Sequence, residues 1–136
     1  MASEAMEMTK TVMKQMAEQG LTLKFDGDVD VERLRAVMGA AQSRMPLDPG
    51  VTFELCTLNG VEAELGIPEN ARKDAIIIYY HGGGFAVGNA LTSRGYASVL
   101  VNETRTPVYT VSYRLVPEDP YPAGVEDCFA FIAAHI

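Results

Sequence analysis

The chain has 136 residues, which is long enough for one domain with its own hydrophobic core. Its composition, 48% hydrophobic and 21% charged, is ordinary for a folded protein and does not suggest disorder. The formal net charge of −7 argues against nucleic acid or an anionic membrane as a partner. Because no apolar run of roughly 18 residues and no apolar leader is present, we predict no membrane span and expect a cytoplasmic location.

Two helices are predicted in the first third of the chain. Residues 1–20 form a helix that stops at Gly20, and its methionine stripe is either ordinary core or the adaptable wall of a lid. Residues 30–41 form a second helix with Asp30 as N-cap. The segment 45–50, with two prolines and a glycine, is predicted to be a linker. The apolar positions of the two helices are Met8, Val12, Met13 and Met16, followed by Val31, Leu34, Val37, Met38 and Ala41.

A hairpin follows the linker. Residues 51–57 and 61–66 are predicted strands, and Asn59 and Gly60 between them are a strong hairpin-turn signal. Residues 67–74 are polar and contain a proline, so we expect them to connect the hairpin to the next strand over the surface.

The chain is organised around a strand that ends in a glycine turn, at residues 75–88. Its first part, AIIIYY, is an unbroken apolar run of the kind buried on both faces of a parallel sheet. The sequence HGGGF at 81–85 then breaks the strand, and glycines there can bring bare backbone N–H groups close to a ligand. A dinucleotide loop would need a third glycine where Val87 stands, and a phosphate loop would need a lysine after Gly88. Neither nucleotide site is therefore predicted.

A strand-helix-strand crossover and a last helix complete the predicted elements. Residues 91–104 are predicted to be helical, 108–113 to be a strand parallel to the preceding one, and 123–136 to be an amphipathic helix. His135 is expected on the solvated side of that last helix. The apolar faces are predicted at Tyr96, Val99 and Leu100, and at Val125, Cys128, Phe129, Ile132, Ala133 and Ile136.

The sequence SYRLVPEDPYPAGVEDCFAFI at 112–132 resembles the YRLAPE-x-x-[FY]-PA-x-x-ED segment of the hormone-sensitive-lipase-like esterases. That family carries HGGGF roughly thirty residues earlier, as this chain does. The departures are Ser112, where many members have Asp, and Val116, where Ala is commoner. The resemblance implies an α/β fold, the N-terminal part of an α/β-hydrolase with a mostly parallel sheet, flanking helices and preceding helical cap segments.

The resemblance also implies the chemistry. In the family, N–H groups of the HGGG loop form an oxyanion hole, which places that role on Gly83 and Gly84. His81, Gly82 and Phe85 are then expected to support the loop, with His81 shaping it by hydrogen bonding. The expected substrate is a small to medium acyl ester, with no cofactor and no metal. The alternative for the motif alone is a tight glycine turn without chemistry.

One element of the family pattern is absent from this sequence. The nucleophile is a serine in G-x-S-x-G, followed by an acid and then a histidine. The serines here are Ser3, Ser43, Ser93, Ser98 and Ser112, and none has glycine two residues before and two after. We therefore expect the triad to lie outside this chain and the chain alone to be inactive. Residues 1–48 are predicted to be a cap segment, and 49–136 the first part of the hydrolase core, incomplete, with strands 1–4 and two helices.

Three further expectations concern partners and alternatives. The strand at 75–80 would have an open edge, so the remainder of the hydrolase fold or a second chain is predicted to cover it. The alternatives to an esterase portion are a non-catalytic, hormone-receptor-like binding protein on the same scaffold and an inactive truncated fragment. Cys56 and Cys128 are expected to be buried free thiols, and Arg114, Glu118 and Asp119 to form ordinary surface ion pairs.

Overall fold

Four strands and four α-helices form the regular part of the computed structural model, which describes residues 4–20, 30–42 and 44–135. A 3₁₀ turn at Leu91–Ser93 precedes the third α-helix. In chain order the elements are α1 (Glu4–Glu18), α2 (Val31–Gln42), β1 (Val51–Leu58), β2 (Val61–Pro68), β3 (Ile77–Tyr80), α3 (Arg94–Thr104), β4 (Val108–Ser112) and α4 (Ala123–Ala133). Each predicted helix and strand is confirmed, with differences at the ends.

By its internal contacts the chain divides into two units, residues 1–34 and residues 35–136. In the first unit α1 ends at Glu18, two residues before Gly20, which adopts a φ of +71°. Asp30 caps α2 as predicted, since its Oδ1 accepts a hydrogen bond from the Arg33 N–H at 2.9 Å. Of the predicted methionine stripe, Met16 is half-buried and Met13 is exposed, while the side chains of Met8 and Val12 lie outside the described residues. The predicted division at residue 48 stays a prediction.

The second unit is built on a mixed sheet with strand order β1-β2-β4-β3. β1 and β2 form the predicted hairpin, with positive φ at both Asn59 and Gly60 (+48° and +80°). β2 and β4 pair antiparallel, and β3 pairs with β4 in parallel, as the predicted crossover requires. Ile67 and Pro68 extend β2 instead of starting the connection, because they pair with Thr52 and Val51 at the end of β1. The predicted α/β fold class is confirmed, while the sheet expected to be mostly parallel is mixed among the described strands, with two antiparallel pairs and one parallel pair.

Two apolar clusters pack against the sheet, one under α3 and one under α4. The α3 cluster is formed by Ala97, Val101 and Val108, and the α4 cluster by Val61, Ala63, Val111 and Phe131. The predicted helix faces were wrong at four of their bulky positions, among them Ile132, which is 37% exposed; Ile136 lies outside the described residues. Tyr96, Val99 and Phe129 are 50%, 43% and 70% exposed, whereas Ala97 and Phe131 are fully buried. Both helices carry apolar residues on more than one side, so helical periodicity alone did not identify the side that meets the sheet.

β3 is half-buried along its whole length, so the prediction of a strand buried on both faces was wrong for the described part of the chain. The partial exposure of β3 follows from the strand order, because within the described residues β3 pairs on one side only, with β4. Both α3 and α4 contact β3. The ring of Tyr79 lies 5.1 Å from that of Tyr96 on α3, and the Tyr80 hydroxyl donates to the Cys128 carbonyl on α4 at 2.8 Å.

Three smaller expectations can be compared with the structure. His135 is half-buried instead of solvated, since its ring packs 4.9 Å from that of Tyr109 on β4. Cys56 and Cys128 are free and half-buried, and burial raises the pKa of both thiols. In the part of the chain that the structure covers, every helix is too short or too polar to cross a membrane.

Candidate functional site

The candidate site is the glycine loop, defined as residues 81–88, which follows the carboxyl end of β3. In α/β proteins, ligands bind beyond the carboxyl ends of parallel strands. The loop lies beside the segment that leaves β4, because β3 and β4 run in parallel and Tyr80 pairs with Val111. The structure therefore brings the two sequence motifs, HGGGF and the segment from Ser112 onward, next to each other.

The carbonyl groups at the start of the loop are held by hydrogen bonds from within the protein. The Tyr113 hydroxyl donates to the His81 carbonyl, and His81 Nδ1 donates to the Gly82 carbonyl at 2.8 Å. The Gly83 carbonyl accepts from the N–H groups of Ala86 and Val87 at 3.1 and 3.2 Å. These bonds close a tight turn around Gly83.

The carbonyl groups at the end of the loop are held by two other segments. The Phe85 carbonyl accepts from the Val116 N–H at 2.8 Å, in the segment after β4. The Ala86 carbonyl accepts from Nε of Arg35 at 2.7 Å, on α2. Donors therefore anchor the loop from three directions.

The N–H groups of Gly83 and Gly84 are in the opposite situation. They donate to no acceptor among the described residues. Gly83 is half-buried and Gly84 is exposed, and Gly84 with Phe85 lines a cavity of about 240 Å³. A turn in which the carbonyls of residues 81–83, 85 and 86 are engaged and successive N–H groups are available is suited to hold an anion.

The backbone conformation explains why glycines occupy this turn. Gly83 has a φ of +129°, and a Cβ there would collide with the Val87 carbonyl and lie 2.8 Å from Val87 Cγ2. Gly84 has a φ of +61° with open space around it. Phe85 also has a positive φ, +59°, which is rare for a bulky residue and costs about 1–3 kcal/mol. The strained backbone at Phe85 is therefore stable only because contacts with neighbouring segments keep it in place.

His81 packs beneath the loop and is 7% exposed. Its ring stacks on Tyr113 with centroids 4.3 Å apart and planes 11° apart. Desolvation lowers the pKa of His81, against an opposing effect of its hydrogen bond to Gly82, so the neutral ring is favoured. Its Nε2 is buried and has no hydrogen-bond partner among the described residues. The support roles assigned to His81, Gly82 and Phe85 stay predictions.

Two residues of the loop environment were not singled out from the sequence. Tyr113 was assigned only to a strand, although its hydroxyl and ring both contact His81. Arg35 was one charged residue among several on an amphipathic helix, and no sequence signal connects it to residue 86. Of the expected surface ion pairs, Arg114 pairs with Asp127, while Glu118 pairs with Arg35.

Comparisons with known proteins agree with this architecture. Residues 77–135 match the family described as alpha/beta hydrolase fold. A probable carboxylesterase 6 of Arabidopsis thaliana is 36% identical over 115 residues, covering 77% of this chain and 34% of that protein. The carboxylic ester hydrolase LipN of Mycobacterium tuberculosis is 31% identical over 115 residues, covering 79% and 30%. A solved esterase from the bacterial hormone-sensitive lipase family is 31% identical over 99% of this chain and 44% of its own, with a TM-score of 0.78.

The chain therefore belongs to the hormone-sensitive-lipase-like esterase family of α/β-hydrolases. It spans about a third of the length of the curated relatives it matches.

Proposed function

We propose that this chain contributes the oxyanion hole of a carboxylic ester hydrolase, with the N–H groups of Gly83 and Gly84 as donors. The observation that carries the proposal is the asymmetry of the loop. The carbonyls of residues 81–83, 85 and 86 are bound by donors of the same chain, while these two N–H groups have no acceptor among the described residues.

The chemistry follows from where charge develops. When a serine attacks an ester carbonyl, the carbonyl oxygen becomes an oxyanion in the tetrahedral intermediate. Donors that are already in place stabilise this charge without reorganisation, and losing one typically raises the barrier by about 3 kcal/mol. In this proposal Gly83 and Gly84 supply two donors, and the serine, its histidine and its acid come from outside residues 1–136. The substrates are small to medium acyl esters.

The proposal includes a covering partner for the edge of β3. Among the described residues β3 is the last strand of the sheet, so its outer edge has backbone groups available for pairing, and Tyr96, which packs on Tyr79, is 50% exposed. We assign the role to the remainder of the hydrolase fold, in the same polypeptide or in a second chain.

Two measurements test the proposal. The 136-residue chain alone should give no burst and no stoichiometric acylation with p-nitrophenyl butyrate. A chimera should hydrolyse that ester when residues 1–136 replace the aligned part of the solved bacterial esterase, whose parent enzyme is the positive control. A chimera that has the parent's circular dichroism spectrum and binds the product butyrate without turnover would contradict the proposal, and would favour a binding protein on this scaffold.

A further inference from the structure

Arg35 connects the glycine loop to two other groups. Its Nε donates to the Ala86 carbonyl at 2.7 Å, and its Nη2 donates to the Val116 carbonyl at 2.9 Å. The same guanidinium forms a two-point ion pair with Glu118, with Nη1 and Nη2 at 2.8 and 2.9 Å from Oε1 and Oε2. The planar fork of arginine makes this set of directions possible, and a lysine could not reproduce it.

These bonds act on the strained part of the loop. Phe85, at a φ of +59°, follows directly after Gly84, so the Gly84–Phe85 peptide moves if Phe85 relaxes. The Phe85 carbonyl is held by the Val116 N–H, and Arg35 holds both the next carbonyl, Ala86, and the Val116 carbonyl. Such a conformation persists only where the surroundings determine it more than once. Arg35 binds the carbonyl of Ala86, which follows Phe85, and the carbonyl of Val116, whose N–H binds the Phe85 carbonyl.

We infer that Arg35 is a positioning residue for the oxyanion hole, holding the Gly84–Phe85 backbone in its anion-binding conformation through Ala86 and Val116. Glu118 orients the guanidinium for this task. The inference rests on the proposed function for its catalytic meaning, while the positioning itself is a property of this chain and can be measured without an active enzyme.

The first test is amide hydrogen exchange in the 136-residue chain. Arg35→Ala should speed exchange of the Ala86, Val87 and Val116 amides by about tenfold or more, because their acceptors lose support. The matched control is Arg72→Ala, which breaks an exposed arginine–carboxylate fork with Asp74 before β3, at the opposite end of that strand from the loop, and should change exchange of these amides less than about twofold. Unchanged exchange in Arg35→Ala would overturn the inference.

The second test uses the esterase chimera. Arg35→Ala should lower kcat by about tenfold or more with KM changed less than about twofold, since a misplaced oxyanion donor acts on the transition state. Arg35→Lys should recover part of the loss. If Arg35→Ala does not fold, Glu118→Gln, which keeps the arginine, should give a smaller loss of the same kind. An inactive wild-type chimera with loosened amides in Arg35→Ala would count against the proposed function only, and an active chimera with unchanged kcat in a folded Arg35→Ala would overturn this inference.

Discussion

Alanine substitutions at the two central glycines of the loop should differ in cost, because a side chain has no room at Gly83 and has room at Gly84. At Gly83 the new Cβ meets the Val87 carbonyl and, at 2.8 Å, Val87 Cγ2. Val87 is 2% exposed, and its N–H bonds back to the Gly83 carbonyl, so neither atom can move without opening the turn. At Gly84 the new Cβ would enter open space.

The magnitudes differ accordingly. Gly84→Ala should lower the free energy of unfolding by about 1–2 kcal/mol, mainly because alanine is strained in a left-handed conformation. Gly83→Ala pays a similar strain and also loses two hydrogen bonds to the Gly83 carbonyl, each about 0.5–1.5 kcal/mol, so we expect about 3 kcal/mol or more. Urea unfolding at fixed protein concentration, followed by tyrosine fluorescence because the chain has six tyrosines and no tryptophan, gives both values. Equal losses for the two variants would refute the reasoning.

Three further predictions concern ionisable groups, all read from urea unfolding. Arg94→Met should lower the free energy of unfolding by about 3–5 kcal/mol, because it leaves the Glu64 carboxylate, whose side chain is 1% exposed, without its partner. Adding Glu64→Gln should recover most of the loss, and no recovery would contradict the ion pair. Burial lowers the pKa of His81, so the unfolded chain binds the proton more readily and stability should fall as pH drops below about 6.5. His81→Asn should flatten that part of the pH profile, and a profile identical to wild type would argue against it. The hydrogen bond from Arg35 lowers the pKa of Glu118 to about 2, so the pair's small contribution should be present above about pH 4.5 and be lost as pH falls toward 2, unlike in Glu118→Gln.

The fold followed from local patterns where one signal dominated. Asn59-Gly60 determined the hairpin turn, and the apolar run before His81 determined the strand that leads into the loop. The side of α3 and α4 that packs on the sheet could not be predicted the same way. That side depends on which residues let the helix approach the sheet closely. On α3 the small residue Ala97 is buried against the sheet, whereas Tyr96 is half exposed.

The candidate site was predictable only in its motif. HGGGF identified the loop, but the side chains that hold it come from distant parts of the sequence. Arg35 is 51 residues from Ala86, and Tyr113 is 32 residues from His81. Such contacts are set by how the elements pack, and a single sequence carries no periodicity that reports them.

The most direct test of the central claim removes one donor without adding an atom of bulk. Replacing the Gly84 amide N–H by an ester oxygen in the esterase chimera adds no side chain, and besides removing the donor it weakens the Gly83 carbonyl as acceptor of the Ala86 and Val87 N–H groups. Our account predicts a loss in kcat of about 100- to 1,000-fold with little change in KM. The matched control is the same replacement at Ala86, whose N–H donates to the Gly83 carbonyl; it weakens the turn without removing a proposed oxyanion donor and should lower kcat far less. An unchanged kcat after the replacement at Gly84 would contradict the assignment of that N–H to the oxyanion hole.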